Sequence, residues 1–286
     1  MSVFLDSELS AAERDPTTAR FRIIPMPLEK TVSYGSGTEA GPAAIIEASD
    51  QLERLVNGRE PCAQGIFTEA PVDCSGSVAE AIAKLRERTF AASKNGFIPV
   101  TLGGEHSLSY GAVMGVKDAL GVDIGIIQID AHADLRNAYQ GEKHSHASVM
   151  HLLAEEGVRL CQFGIRAIST EEVEARQKYN VFHLDAEELA TQGIHHATLP
   201  DDFPEQVYIS FDVDGLDPSV MPATGTPVPG GLGYYQSLHL IESALKRRSC
   251  VGMDVVEFAP IAGQQAWDFT ATQIVYRLMA SAMKAE

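Results

Sequence analysis

Three short stretches of this sequence carry side chains suited to holding cations: Gly103-Gly104-Glu105-His106, Asp130-Ala131-His132-Ala133-Asp134 and Ser210-Phe211-Asp212-Val213-Asp214-Gly215. In the second, the apolar residues Ile126, Ile127 and Ile129 give way abruptly to carboxylate, imidazole and carboxylate at alternate positions. Side chains at i, i+2 and i+4 of a strand project from one face. An extended DAHAD therefore gathers all three groups on one side, and the same spacing pairs Asp212 with Asp214. Glycines at 103 and 104 let the chain turn tightly enough for His106 to point back over a strand end. Burying ionised carboxylates without compensation is costly, and a divalent cation is the natural compensation.

The candidate ligands His106, Asp130, His132, Asp134, Asp212 and Asp214 exceed the needs of one tetrahedral zinc. They suit two divalent ions that share carboxylates. The oxygen-rich donor set with two imidazoles favours manganese, while iron, cobalt and nickel stay open because manganese has no intrinsic advantage in affinity. Two ions about 3.5–4 Å apart bring a bridging water toward a neutral pKa. The expected chemistry is hydrolysis at an sp2 carbon or at phosphorus.

The elements that must position these groups alternate along the chain. Strands are expected near 21–25, 65–70, 97–103, 124–130, 158–164, 180–184, 206–213 and 250–258, about eight in all, with helices between them. Pro42 opens one helix, running on through AAIIEASDQLERL. Ser77 with Glu80 forms a capping box ahead of Val78, Ala81, Ile82 and Leu85. Further helices are expected over 107–119, 147–156, 169–178, 234–247 and 266–284. This is the pattern of an α/β protein with a mostly parallel sheet covered on both faces. All three ligand stretches fall at carboxyl ends of strands, where open α/β sheets form their sites. Residues 1–18 show little periodicity and read as an arm; residues 19–286 read as one domain.

The run Gly35-Ser36-Gly37-Thr38-Glu39-Ala40-Gly41 has the wrong spacing for a dinucleotide loop and an acid where a pyrophosphate would sit. It reads instead as a loop near the rim of a site. A net charge of −17 argues against nucleic acid and anionic membranes as partners and suits a small cationic ligand. No apolar run is long enough to span a bilayer, and no secretory signal opens the chain. The cysteines Cys62, Cys74, Cys161 and Cys250 show no metal or redox pairing, which fits a cytoplasmic location.

Taken together, GGEH, DAHAD, SFDVDGLDP, TGTPVPGGL and GMDVVEFAP resemble the signatures of the ureohydrolase family, which includes arginase, agmatinase, guanidinobutyrase and formimidoylglutamase. The resemblance runs from Phe21 onward and implies a three-layer α/β/α arginase-like fold, two Mn2+ per chain and a homo-trimer or homo-hexamer. It implies that His106, Asp130, Asp134 and Asp212 hold one ion and Asp130, His132, Asp212 and Asp214 the other, with Asp130 and Asp212 bridging. A guanidinium carbon is a poor electrophile, so it needs a fixed counter-charge and a strong nucleophile. Glu257 is expected to pair with the guanidinium, and Asp134 to pass a proton to the departing amine. A loop histidine is the remaining catalytic candidate: His146, followed by Ala147 and Ser148, matches the family pattern better than His144. His151, His183, His195, His196 and His239 have no motif context and read as structural or surface groups.

The loop GEKHSHAS lacks the Ser-Gly-Asn-x-His-Gly pattern of arginases, so recognition of an α-amino acid head group is not expected. The chain most resembles agmatinases, and the expected reaction converts agmatine to putrescine and urea. The alternative is a guanidino acid such as guanidinobutyrate, with Lys143 or Arg136 near the rim as partners for its carboxylate. A catalytically inactive metal-binding scaffold is the reading from another class, and the full occupancy of every candidate position argues against it. A single-zinc amide hydrolase of the deacetylase type would need fewer of these ligands.

Overall fold

The computed structural model describes residues 2–283. Its frame is one sheet of eight strands: β1 (Phe21–Met26), β2 (Ile66–Thr68), β3 (Ile98–Gly103), β4 (Ile124–Ile129), β5 (Arg159–Phe163), β6 (Phe182–Leu184), β7 (Gln206–Asp212) and β8 (Ser249–Val256). The order is β2-β1-β3-β8-β7-β4-β5-β6, and every neighbouring pair is parallel. After β3 the chain leaves two places open, continues outward through β4, β5 and β6, and returns to fill the gap with β7 and β8. The four central strands β3, β8, β7 and β4 are those that end in GGEH, Glu257, DVDG and DAHAD.

Helices α1 (Gly41–Ala48), α6 (Ala186–Gln192), α7 (Tyr234–Ala244) and α8 (Gln265–Ser281) contribute to the core on one face. Helices α2 (Val78–Lys94), α3 (Ser109–Leu120), α4 (Val149–Glu155) and α5 (Thr170–Lys178) contribute to the core on the other. The alternation of strand side chains decides the division: in β4, Ile124 and Ile126 go to the second face and Ile127 and Ile129 to the first. Covering both faces of a parallel sheet in this way explains the nearly continuous apolar strands. The architecture is the expected three-layer α/β/α fold.

The Ser77–Glu80 capping box is present, and Pro42 lies in the first turn of α1. That helix ends earlier than the sequence suggests. Ser49 turns its hydroxyl back to the Ile46 carbonyl and accepts the Leu5 N–H at 2.7 Å, and the chain tightens into a 3-10 turn over Ser49–Gln51. The same contacts pack the start of the N-terminal segment against the domain. Phe4 and Leu5 are fully buried in the main core, and the Phe4 N–H donates to Thr68 Oγ1 at 3.0 Å. Helix α6 has no counterpart in the sequence reading. The helix expected over 266–284 is α8, and its last expected position lies outside the described residues. No helix among the described residues is long and apolar enough to cross a membrane.

Candidate metal centre

The central strands stop at the same level. Ile129 pairs with Phe211 across β4 and β7, and Asp212 pairs with Val256 across β7 and β8, so the next residues, Asp130 and Glu257, emerge beside Asp212. What brings the acidic side chains together is not the strand alternation expected for DAHAD. β4 ends at Ile129, and Asp130 to Asp134 form a bent coil in which Asp134 takes the left-handed conformation with φ 52°. The bend is fixed by one hydrogen bond within it and by partners far along the chain. The Ala131 N–H donates to Asp214 Oδ1 at 3.0 Å, the His132 N–H to Asp130 Oδ1 at 2.6 Å, and the Met150 N–H to the Asp134 carbonyl at 3.0 Å.

DVDG departs from the expectation in the same way. β7 ends at Asp212, whose Oδ1 accepts the Asp214 N–H at 2.9 Å and starts a single 3-10 turn over Val213–Gly215. A Cβ at Gly215 would sit 2.6 Å from the Asp130 nitrogen, so glycine is required for the two stretches to approach. In GGEH, Gly104 has φ 24°, and a Cβ there would meet the Leu28 carbonyl oxygen at 2.4 Å. His106 then begins the 3-10 turn that leads into α3.

The six side chains form two overlapping groups. His106 Nδ1 lies 2.9 Å from Asp134 Oδ2, 3.2 Å from Asp130 Oδ2 and 3.3 Å from Asp212 Oδ2. His132 Nδ1 lies 3.0 Å from Asp214 Oδ2 and 3.6 Å from Asp130 Oδ1. Asp130 thus offers one oxygen to each group. The ligand-type atoms of His106, Asp130 and Asp212, and those of Asp130, His132 and Asp214, lie within 4.8 Å of one another. Asp212 joins only the first of these compact groups.

The donor chemistry fits a cation. Ser210 Oγ donates to the Asp254 carboxylate at 2.7 Å, so at 2.8 Å it accepts from His106 Nε2–H. That leaves Nδ1, buried and without a hydrogen-bond partner, aimed among three carboxylate oxygens. Burial opposes protonation there, yet the carboxylates of Asp130, Asp134 and Asp212 raise the imidazole well above its ordinary value. The point requires positive charge, which a proton or a metal ion supplies. Burial, then the charge on Asp130, push Asp134 up to about 7; burial alone is the main cause that takes Glu257 to about 8.

These groups line a cavity of about 400 Å3. His106, His132, Asp134, Asp212, Asp214 and Glu257 reach it, and so does His146, whereas Asp130 is buried beneath. His144 does not line the cavity; its ring packs 5.6 Å from that of Tyr110. Tyr139 stands edge-on to His146 with ring centroids 5.5 Å apart. Glu257, at φ 60°, is left-handed like Asp134, and such strain in bulky residues gathers at functional sites. Gly35 lines the rim, as expected of the glycine-rich run.

Several supporting residues were not singled out from the sequence. Arg166, just beyond β5, fans its guanidinium over the carbonyl oxygens of Gly164, Asp214, Gly215, Leu216 and Val228 at 2.7–3.2 Å. Asp130 Oδ2 accepts from Gln128 Nε2 at 2.7 Å, and a buried chain continues through Gln162 and Arg176 to Asp185. Glu172, from an unread capping box with Ser169, accepts the Leu135 N–H at 3.1 Å. The signals available were polar residues inside apolar strands, at Gln128 and Gln162, and the spacing Ser169-x-x-Glu172.

Known proteins of similar sequence and shape bring this geometry into context. The model of the Arginase family matches residues 19–281. The chain is 38% identical over 261 residues to an N(1)-aminopropylagmatine ureohydrolase of Thermus thermophilus, covering 90% of this chain and 88% of that protein. It is 34% identical to an N(1)-aminopropylagmatine ureohydrolase of Synechocystis, with 96% and 92% covered. The crystal structure of agmatine ureohydrolase of Thermoplasma volcanium superposes with a TM-score of 0.82 at 30% identity, covering 97% of this chain and 96% of that one. With its parallel eight-stranded frame and its paired His/Asp groups, the chain belongs to the arginase family.

Proposed function

We propose that the protein hydrolyses the guanidine of a linear amine, agmatine or its N(1)-aminopropyl derivative, to urea and the free amine. One observation carries the reading: two His/Asp groups sharing Asp130 form the floor of a cavity whose wall also carries the half-buried acid Glu257. Burial alone favours the neutral form of Glu257, but cations bound on the floor and a guanidinium beside it favour the carboxylate, which is the partner a guanidinium needs, and the overall charge of −17 attracts a polycationic substrate.

His106, Asp130, Asp134 and Asp212 would hold one divalent cation, and Asp130, His132 and Asp214 the other, with Asp212 as a second bridge. Manganese, at two ions per chain, suits four carboxylates and two imidazoles. Such a cation pair supplies a water activated near neutral pH. Glu257 binds the guanidinium and turns its central carbon toward the floor. The His106 N–H holds Glu257 Oε1 at 2.7 Å, which leaves Oε2 free for the substrate. Asp134 accepts a proton as the tetrahedral carbon forms and releases it to the departing nitrogen; its position beside His106 suits that exchange. His146, at the side of the cavity, carries protons between the site and solvent.

The agmatine reading comes from the loop that lacks the arginase head-group pattern. The relatives from Thermus and Synechocystis favour the longer aminopropyl substrate equally. A guanidino acid would need a cation at the mouth. Arg136 lines the cavity, but it lies 4.0 Å from Glu172 and over the Tyr139 ring, and Lys143 faces Glu155 at 3.5 Å. The reading extends to a homo-trimer or homo-hexamer in the cytoplasm, consistent with four unpaired cysteines, and to no nucleic-acid partner.

The test is urea release by manganese-loaded protein across agmatine, N(1)-aminopropylagmatine, arginine and guanidinobutyrate. One of the first two should have the highest kcat/KM. A preference for arginine, or no urea from any of them, would overturn the proposal.

A further inference from the structure

We infer that Thr31 and Glu105 are positioning residues that fix the tautomer and direction of His146, an inference that rests on His146 being the proton shuttle. Neither lines the cavity. Glu105, although adjacent to His106 in sequence, spends its buried carboxylate on the loop at 30–31. Oε2 accepts the N–H groups of Lys30 and Thr31 at 2.5 and 2.6 Å. Oε1 accepts the hydroxyls of Thr31 and Ser107 at 2.9 and 2.6 Å.

The direction of each hydrogen bond follows from the first. A carboxylate has no proton to give, so the Thr31 hydroxyl hydrogen points at Glu105. Thr31 Oγ1 then has only lone pairs for its other neighbours. It accepts the His146 N–H at 3.1 Å, and the ring atom Nδ1 lies 3.2 Å away. That second contact is attractive only when Nδ1 carries the hydrogen. The lone pair of the neutral ring is therefore on Nε2. Ser145 Oγ, 3.4 Å from Nδ1, is the competing neighbour, and the shorter Thr31 contact outweighs it.

This arrangement matters for a shuttle because Nε2 both takes the proton and gives it up, while Nδ1–H is unchanged throughout. When Nε2 is protonated, the Nδ1–H faces Thr31 with the negative Glu105 behind it, so the imidazolium is oriented, and Glu105 offsets part of the burial that disfavours its charge. A histidine whose orienting acid is lost adopts the wrong tautomer and turns over far more slowly while its geometry is intact.

The experiment compares Thr31→Val, which keeps the shape and removes the hydroxyl, with Thr31→Ser, which keeps the hydroxyl, each alone and with His146→Asn. Thr31→Val should lower kcat about tenfold or more with KM within about twofold and metal content unchanged, and Thr31→Ser should recover most of that loss. Nitrogen NMR of the histidines should find His146 as the Nδ1–H tautomer in the native protein and as a mixture in Thr31→Val. With Asn at 146, Thr31→Val should cost nothing more. Equal losses in both backgrounds, or an unaltered tautomer in Thr31→Val, overturn the inference alone. Full turnover by His146→Asn overturns the shuttle reading and this inference with it.

Discussion

The backbone N–H of His106 donates to Oε1 of Glu257 at 2.7 Å, and the Glu257 N–H returns a hydrogen bond to the Gly104 carbonyl at 2.9 Å. A candidate metal ligand at the end of β3 and the candidate substrate acid at the end of β8 are thus one rigid unit. The roles are separable by charge: Glu257→Gln keeps an oxygen for the His106 N–H but loses the anion. Metal content should be unchanged, while kcat/KM falls on the order of a hundredfold or more, the cost of an unpaired buried cation. Activity within about threefold of the native enzyme would mean that the guanidinium is anchored elsewhere.

Asp130 offers Oδ2 to the His106 group and Oδ1 to the His132 group. Asp130→Asn should therefore lose both ions together, giving near-background metal by elemental analysis and no turnover. Selective loss of one ion would show that Asp130 serves a single position.

Arg166 satisfies carbonyl oxygens on three segments at once. Lysine has the charge but not the planar fork. Arg166→Lys should lower stability by about 2–3 kcal/mol, through carbonyls left unpaired. It should also weaken metal binding about 10–100-fold through the displaced 214–216 turn. Thermal melting and metal titration check the two effects separately, and a variant with native melting and native affinity would refute the bracing role.

Far from the site, the Arg54 guanidinium, at 2.6 Å, holds the Glu13 carboxyl at about 2 against an ordinary value near 4.5. Because the folded value is depressed, the pair stabilises the fold fully above about pH 4.5 and its contribution disappears as pH falls toward 2. Glu13→Gln should be less stable than the native protein by about 1 kcal/mol near neutrality, with the difference closing over that acid range. Denaturant melts at a series of pH values measure the difference, and a gap that persists at pH 2 would contradict the assignment.

The candidate ligand residues were legible because each sits where an apolar strand turns charged, a local signal that needs no knowledge of the fold. Their route to convergence was not. The left-handed turn at Asp134 depends on N–H groups of Met150 and His151, and no extended strand continues past Ile129. Thr31, Glu105 and Arg166 escaped notice for the same reason: their partners lie far along the chain, so each reads singly as an ordinary polar residue. The first eighteen residues looked loose because Phe4, Leu5 and Leu9 follow no regular period, although all three are buried. Gln128 and Gln162 were the missed local clue, since an amide in a strand interior needs a buried partner.

The late insertion of β7 and β8 between β3 and β4 has a consequence for biogenesis. A nascent chain that ends before Gln206 has already made GGEH and DAHAD, but it holds them on two half-sheets with raw facing edges. Such edges invite wrong partners during synthesis. The candidate metal nest is complete only once β7 adds Asp212 and Asp214 and joins the halves.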